Sequence, residues 1–179
     1  PETLFHYRKL HQAQQEELST AKSDAQAIAK TLDGIHIPVY ANANTPDDVA
    51  QVIDVGADGI GLLRTEYLFQ NRDSAPTIAE QQELYATYLK QIQGRLLNIR
   101  ALDAGGDKPV KFFHHEHEEN PFLGLRGTRL LLAQPSLLLN QYLAILAIAI
   151  NRTQIGKLRM MLPMVRTIEE VQQVLALLA

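Results

Sequence analysis

Four short apolar runs alternate with segments of helical periodicity, and this alternation constrains the fold more than any other feature of the chain. The runs are "IHIPVYANA" (35–43), "DGIGLL" (58–63), "RLLNIRALD" (95–103) and "KLRMMLPMV" (157–165). After the first comes "NTPDDVAQVIDVG", with Thr45 placed as N-cap, Pro46 at the first helical position and acids in the first turn. "TIAEQQELYATYLKQIQ" (77–93) precedes the third run, "GLRGTRLLLAQ" and "PSLLLNQYLAILAIAI" precede the fourth, and "TIEEVQQVLALLA" (167–179) follows it. Strands that alternate with helices imply parallel pairing through crossover connections. Continuous apolar runs are what strands covered on both faces require. An open doubly wound sheet and part of a (β/α)₈ barrel both meet this pattern.

Ahead of the first run, residues 2 to about 32 read as one helix. Leu18, Ala21, Ala25, Ile28 and Leu32 form a thin apolar stripe on an otherwise polar surface, and Asp33-Gly34 supplies a break. So narrow a stripe on so long a helix suits a connector, here residues 1–33, in front of an α/β unit at 34–179.

Composition mainly excludes. With 17 basic and 20 acidic residues the formal net charge is -3, so no basic excess points to nucleic acid or anionic lipid. The chain has no cysteine, which removes disulfides, zinc-finger spacing and a thiol nucleophile and is compatible with a reducing cytoplasm. The run "YLAILAIAI" is far short of the ~20 residues of a spanning helix. "PETLFHYRKLHQ" has neither the apolar core of a signal peptide nor an initiator Met, and reads as a cut from something longer.

In parallel α/β folds ligands bind beyond the carboxyl ends of the strands. Arg64 follows the second run in "GIGLLRTEYLF", Arg100 lies near the end of the third, and Arg126 follows "ENPFLG". Guanidiniums converging on one rim form a fork-shaped trap for phosphate or carboxylate oxygens. In "DAGGDK", Gly105 and Gly106 let backbone N–H groups turn inward as an anion nest, and Lys108 adds a point charge. Arg64 and Arg100 are expected on the same side of the sheet, forming one site. The competing reading makes Arg64 a surface residue paired with Glu66. "HHEHEE" (114–119) has metal-ligand residue types but reads as a solvated loop. Met160, Met161 and Met164 read as core filler, and His36 as a satisfied structural histidine.

"GADGIGLLRTEYLFQNRD", "IRALDAGGDK", "EENPFLGLRGTRL" and "GKLRMMLPMV" together resemble, in order and spacing, the C-terminal domain of enzyme I, the phosphoenolpyruvate–protein phosphotransferase family of the bacterial sugar phosphotransferase system. Phosphoenolpyruvate synthase and pyruvate phosphate dikinase are more distant kin. The four motifs span about 110 residues, and the first helix is similar to the family's connector, so the resemblance covers nearly the whole chain.

The resemblance implies the first half of a (β/α)₈ barrel that binds phosphoenolpyruvate and Mg²⁺ at its carboxyl rim. It implies a phosphoryl group passed to a histidine on a mobile domain and then to a small phosphocarrier protein, in a homodimeric cytoplasmic parent. Arg64 and Arg100 match the family's phosphate-binding arginines, Arg126 a further arginine of the site, and Lys108 is a weaker candidate. The family's "RTLDIGGDK" stands here as "RALDAGGDK", with Ala101 and Ala104 giving up a hydroxyl and some bulk. Catalytic residues, Mg²⁺ ligands and the phosphorylatable histidine are expected outside residues 1–179. On that basis the chain alone is expected not to turn over phosphoenolpyruvate and to self-associate through exposed strand edges. The alternatives are a non-catalytic anion-binding or dimerisation module of the same family, and an unrelated doubly wound phosphate-binding protein. The four ordered motifs argue against the latter.

Overall fold

The computed structural model describes residues 2–105, 110–113, 119–150 and 157–179. Among them, β1 (Ala41–Ala43), β2 (Gly59–Leu63), β3 (Leu96–Arg100) and β4 (Leu158–Met161) form one parallel sheet in the order β1-β2-β3-β4. A doubly wound sheet reverses direction at a switch point, whereas an order that follows the chain is that of a barrel wall. The described residues form the α/β half-barrel that the alternation and the resemblance anticipate.

Helices cover one face. Ile60 and Leu63 of β2 and Leu97 and Ile99 of β3 are fully or almost fully buried. They pack with Val49 and Val52 near α2 (Pro46–Gln51), Tyr85 and Tyr88 of α4 (Ile78–Gln91), and Ala144, Ile145 and Ile148 of α6 (Pro135–Ile150). A second cluster sits beyond the strand ends. It joins Ala101, Leu102 and Ala104 to Leu130 and Leu131 of α5 (Thr128–Ala133), Leu138 of α6 and Val174 of α7 (Ile168–Leu178). The two smaller side chains of "RALDAGGDK" are thus fully packed, with Ala101 and Ala104 at 0% and 1% exposure.

The helix starts obey local chemistry. Thr45, Thr77 and Thr167 each accept a hydrogen bond from the N3 amide, while Asp48, Glu80 and Glu170 reach back to the cap backbone. α6 begins and ends where its sequence pattern does.

Two expected boundaries are corrected. α1 ends at Asp24 rather than near residue 32, and the first strand is three residues rather than nine. Both follow from a small hairpin. Ile37 N–H donates to Ala29 O and Thr31 N–H to Ile35 O, each at 2.9 Å, around a turn at Gly34, whose φ is 87°. The backbone groups expected to extend α1 and β1 are spent on each other, and Pro38 interrupts what remains. Ile28 and Leu32, expected on the apolar stripe, are consequently exposed. His36 is about half exposed with Nε2 3.7 Å from Asp58 Oδ2, so it is a surface residue and not a core histidine. Met160 packs against both clusters, while Met164 (φ 53°) lies on the surface past the end of β4.

The end of α1 is tied to the α/β unit where Gln26 Nε2 donates to the carbonyls of Ile53 and Asp54, both at 3.2 Å. Gly56 has φ 70°, and a Cβ there would overlap the Ala25 carbonyl. Gly56→Ala is therefore expected to lower unfolding stability by more than about 1 kcal/mol, measured by urea denaturation.

The caps make stability pH-dependent. A hydrogen bond from Arg72 first, and from the Thr77 backbone second, holds the Glu80 carboxyl at about 2. Asp48 and Glu170 are also lowered, chiefly by the backbone N–H groups of Asn44 and Arg166. A carboxyl whose folded pKa lies below its unfolded one stabilises fully above the unfolded value, and that contribution is lost as pH falls through the folded value. The urea midpoint is expected to drop between pH 4.5 and about 2, and Glu80→Gln to flatten the slope across that window.

Candidate anion site at the carboxyl ends of the strands

Register decides which side chains meet. Ala43 pairs with Leu63, Leu63 with Ile99 and Ile99 with Met160 across the four strands. Ala43, Leu63 and Ile99 face the helices and are buried, so the next residue on each strand faces the other side. Those residues are Asn44, Arg64 and Arg100, with Met161 paired to Arg100. Arg64 and Arg100 therefore occupy one row at the same end and on the same face of adjacent parallel strands.

Their surroundings differ. Arg64 is exposed, and its Nη1 donates to Asn44 Oδ1 at 3.2 Å. Arg100 is mostly buried. Its Nη2 donates to Glu66 Oε1 and lies 3.6 Å from Asp103 Oδ2. Arg100 Nε is buried and makes no hydrogen bond among the described residues. Arg126 lies deeper, with Nε and Nη2 donating to Asp103 Oδ1 and Oδ2 at 3.1 and 3.3 Å, a bidentate fork. Its guanidinium carbon sits 4.7 Å from the centre of the Phe122 ring.

The rim thus carries a line of alternating charge: Glu66, Arg100, Asp103, Arg126. The reading that pairs Arg64 with Glu66 is corrected. Glu66 is 7% exposed at the start of α3 (Glu66–Phe69), and its carboxylate is on Arg100. Asp103 was not singled out in the sequence, and Glu66 was read only as a partner for Arg64. The signal was available in "RTE" and "RALD", where each acid follows an arginine at a strand end, but nothing local says which arginine an acid will meet.

Sequence reading also missed Gln141. It lies wholly buried on α6, yet all its polar capacity faces the rim. Oε1 accepts from Leu102 N–H at 2.9 Å, and Nε2 donates to Thr65 Oγ1 at 3.2 Å and to the Tyr85 hydroxyl at 3.0 Å. Burial pushes the Tyr85 phenol well above its usual range, so it stays protonated and donates to Gln81 Oε1 at 3.3 Å.

Gly105, with φ 127°, lies where a Cβ would press on Leu125 O, so the chain can pass this point only without a side chain. Gly106 and Lys108 lie outside the described residues, as do 114–118 of "HHEHEE". Among the described residues no three His, Cys, Asp or Glu side chains are grouped to hold a metal ion. The rim carboxylates Glu66 and Asp103 each place at least one oxygen on a guanidinium.

Comparison with known proteins bears on this geometry. A family profile described as PEP-utilising enzyme, PEP-binding domain, matches residues 18–179. A multiphosphoryl transfer protein of Xanthomonas campestris pv. campestris is 43% identical over 163 residues, 90% of this chain and 19% of that protein. Phosphoenolpyruvate-protein phosphotransferases of Staphylococcus epidermidis and Staphylococcus aureus are 46% and 42% identical over 147 and 171 residues. Those matches cover 82% and 96% of this chain but only 25% and 29% of the relatives' own length. A profile match that takes in every strand and the whole arginine row is decisive for descent, and on it the chain belongs to the PEP-utilising enzymes, within their PEP-binding domain.

Proposed function

We propose that this chain supplies the phosphate-holding side of the phosphoenolpyruvate site in a phosphoenolpyruvate-dependent protein phosphotransferase. The observation that carries the reading is the row of Arg64 and Arg100 at the carboxyl ends of adjacent strands, on the face the helices leave open. Arg64 is exposed and, among the described residues, held only by a neutral amide, so it can meet an incoming phosphate with little competition. Arg100 is reached by displacing the Glu66 contact, with Asp103 3.6 Å from the same nitrogen, and its buried Nε is a donor that a phosphate oxygen could satisfy. Arg126 stands behind the contact: it fixes Asp103, and Asp103 braces Arg100.

Phosphoryl transfer asks a protein chiefly for positioning and for neutralisation of charge on the transferred group. Arg64 and Arg100 would do both, orienting the phosphate of phosphoenolpyruvate and offsetting its charge as the bond to the enol oxygen weakens. The acceptor is proposed to be a histidine of another segment, from which the group passes to a small phosphocarrier protein. Mg²⁺ is assigned to carboxylates other than Glu66 and Asp103, and no step is derived through it. Residues 1–33 are taken as the connector and 34–179 as the phosphate-binding half of the barrel, with Lys108 as a further contact, in a homodimeric cytoplasmic enzyme. No helix among the described residues is long and apolar enough to cross a membrane.

The test is a titration of the chain with phosphoenolpyruvate, followed by ¹H–¹⁵N NMR shifts. Arg64→Ala and Arg100→Ala are each expected to weaken binding about tenfold or more, the scale of a lost charge-assisted hydrogen bond. Lys90→Ala, exposed at the end of α4 that leads into the amino end of β3, is expected to change it less than twofold. Equal losses from all three would assign the binding to general charge and overturn the reading.

A further inference from the structure

We propose that Gln141 is a positioning residue for this anion site, clamping the ends of the two strands that carry Arg64 and Arg100. The inference rests on the phosphate-site reading above and names a residue that never touches the ligand.

Three observations support it. Gln141 is 0% exposed, and a buried primary amide is costly unless its hydrogen bonds are made. Here the acceptor and both donors are engaged, and all three partners bear on the rim or brace the amide. The orientation of the amide follows from its partners, because Leu102 N–H can only donate and so must face Oε1. The bonds also continue to the arginines' own backbone. Thr65 Oγ1 donates to Arg100 O at 2.9 Å, and Leu102 lies two residues beyond Arg100. The residue after Arg64 is thereby fastened to Arg100 itself, and Gln141 holds that fastening from behind.

The second observation is a forfeited cap. Thr65 occupies the N-cap position of α3 but makes no side-chain capping bond, with φ -89° and ψ -6°. Every other threonine at an N-cap position among the described residues, Thr45, Thr77 and Thr167, does cap. The Thr65 hydroxyl is spent on bridging Gln141 to Arg100 O instead.

The third is the sheet itself. The β2–β3 register shifts between Ile60 and Leu63, and past that irregularity the ladder resumes at Leu63 and Ile99, directly before the two arginines. A clamp that joins residue 65 to 100 and 102 reinforces the ladder at that point. Fork-shaped recognition of a phosphate depends on the relative placement of two guanidiniums, and small misplacements are expensive.

The experiment measures phosphoenolpyruvate and inorganic phosphate binding to the full chain by NMR titration, beside thermal unfolding, for Gln141→Leu, Thr65→Val, Thr65→Ser and Ile148→Ala. Ile148 lies on the same helix in the main core and reports structural damage alone. Gln141→Leu and Thr65→Val are expected to weaken both anions about tenfold at temperatures where the variants are folded. Thr65→Ser, which keeps the hydroxyl, should bind as wild type, and Ile148→Ala should lose thermal stability yet keep its affinity. The double variant Gln141→Leu/Thr65→Val should lose less affinity than the two single losses combined, because both changes cut the Gln141–Thr65 bond they share. Wild-type affinity in folded Gln141→Leu, or in Thr65→Val should the glutamine variant fail to fold, overturns the clamp. If the wild-type chain binds neither anion, the phosphate-site reading falls and takes the clamp with it.

Discussion

The carboxylate of Asp103, forked by Arg126 and approached by Arg100, is the contact on which the rim depends. Two guanidiniums that are barely exposed are costly to bury unless opposite charge replaces the water they lose. Asp103 and Glu66 supply it. The line of four charges sums to zero, which permits a charged site within a chain of small net charge. It also divides the arginines by role. Arg126 has both forks of its contact on one acid, Arg100 is held at one nitrogen, and Arg64 leans on a neutral amide. From Arg126 to Arg64 the hold on each guanidinium loosens and its exposure to solvent rises, so the row grades from scaffold to contact.

Legibility in the sequence followed the range of the forces involved. The cap at Thr45 and the bounds of α6 are set within a few residues, by a hydroxyl and the amide three positions on, or by a run of leucines and alanines. They can be read without knowing the fold. The arginines were legible because a strand's direction puts its last residues at one end of the sheet. Glu66 was not, since its partner lies 34 residues away. Gln141 was invisible for a stronger reason. A single glutamine in an apolar helix looks like a polar residue facing solvent, and only the packing of α4 and α6 shows it turned inward. The hairpin at 29–37 defeated the reading of α1 and β1 because Ile35 and Ile37 suit a strand in either setting, and nothing local chose their partner.

Membership of the PEP-utilising enzymes and the geometry of the row are independent lines that meet at the same place. Descent alone would leave open which groups still form a site, and two arginines at a strand end could serve any anion. Combined, they support the proposal of a phosphate ester that arrives from the open face of the sheet.

The strand order has a consequence for how the chain reaches this state. Each strand neighbours the one before it in sequence, so successive strand–helix units can add to a growing edge with modest loop closures. Gln141, by contrast, reaches back 76 residues to Thr65. Its bonds close only once α6 has settled over strands already paired. The topology therefore separates two properties of the molecule: the wall is built from contacts near in sequence, and the alignment of the arginine row draws on a contact far along the chain.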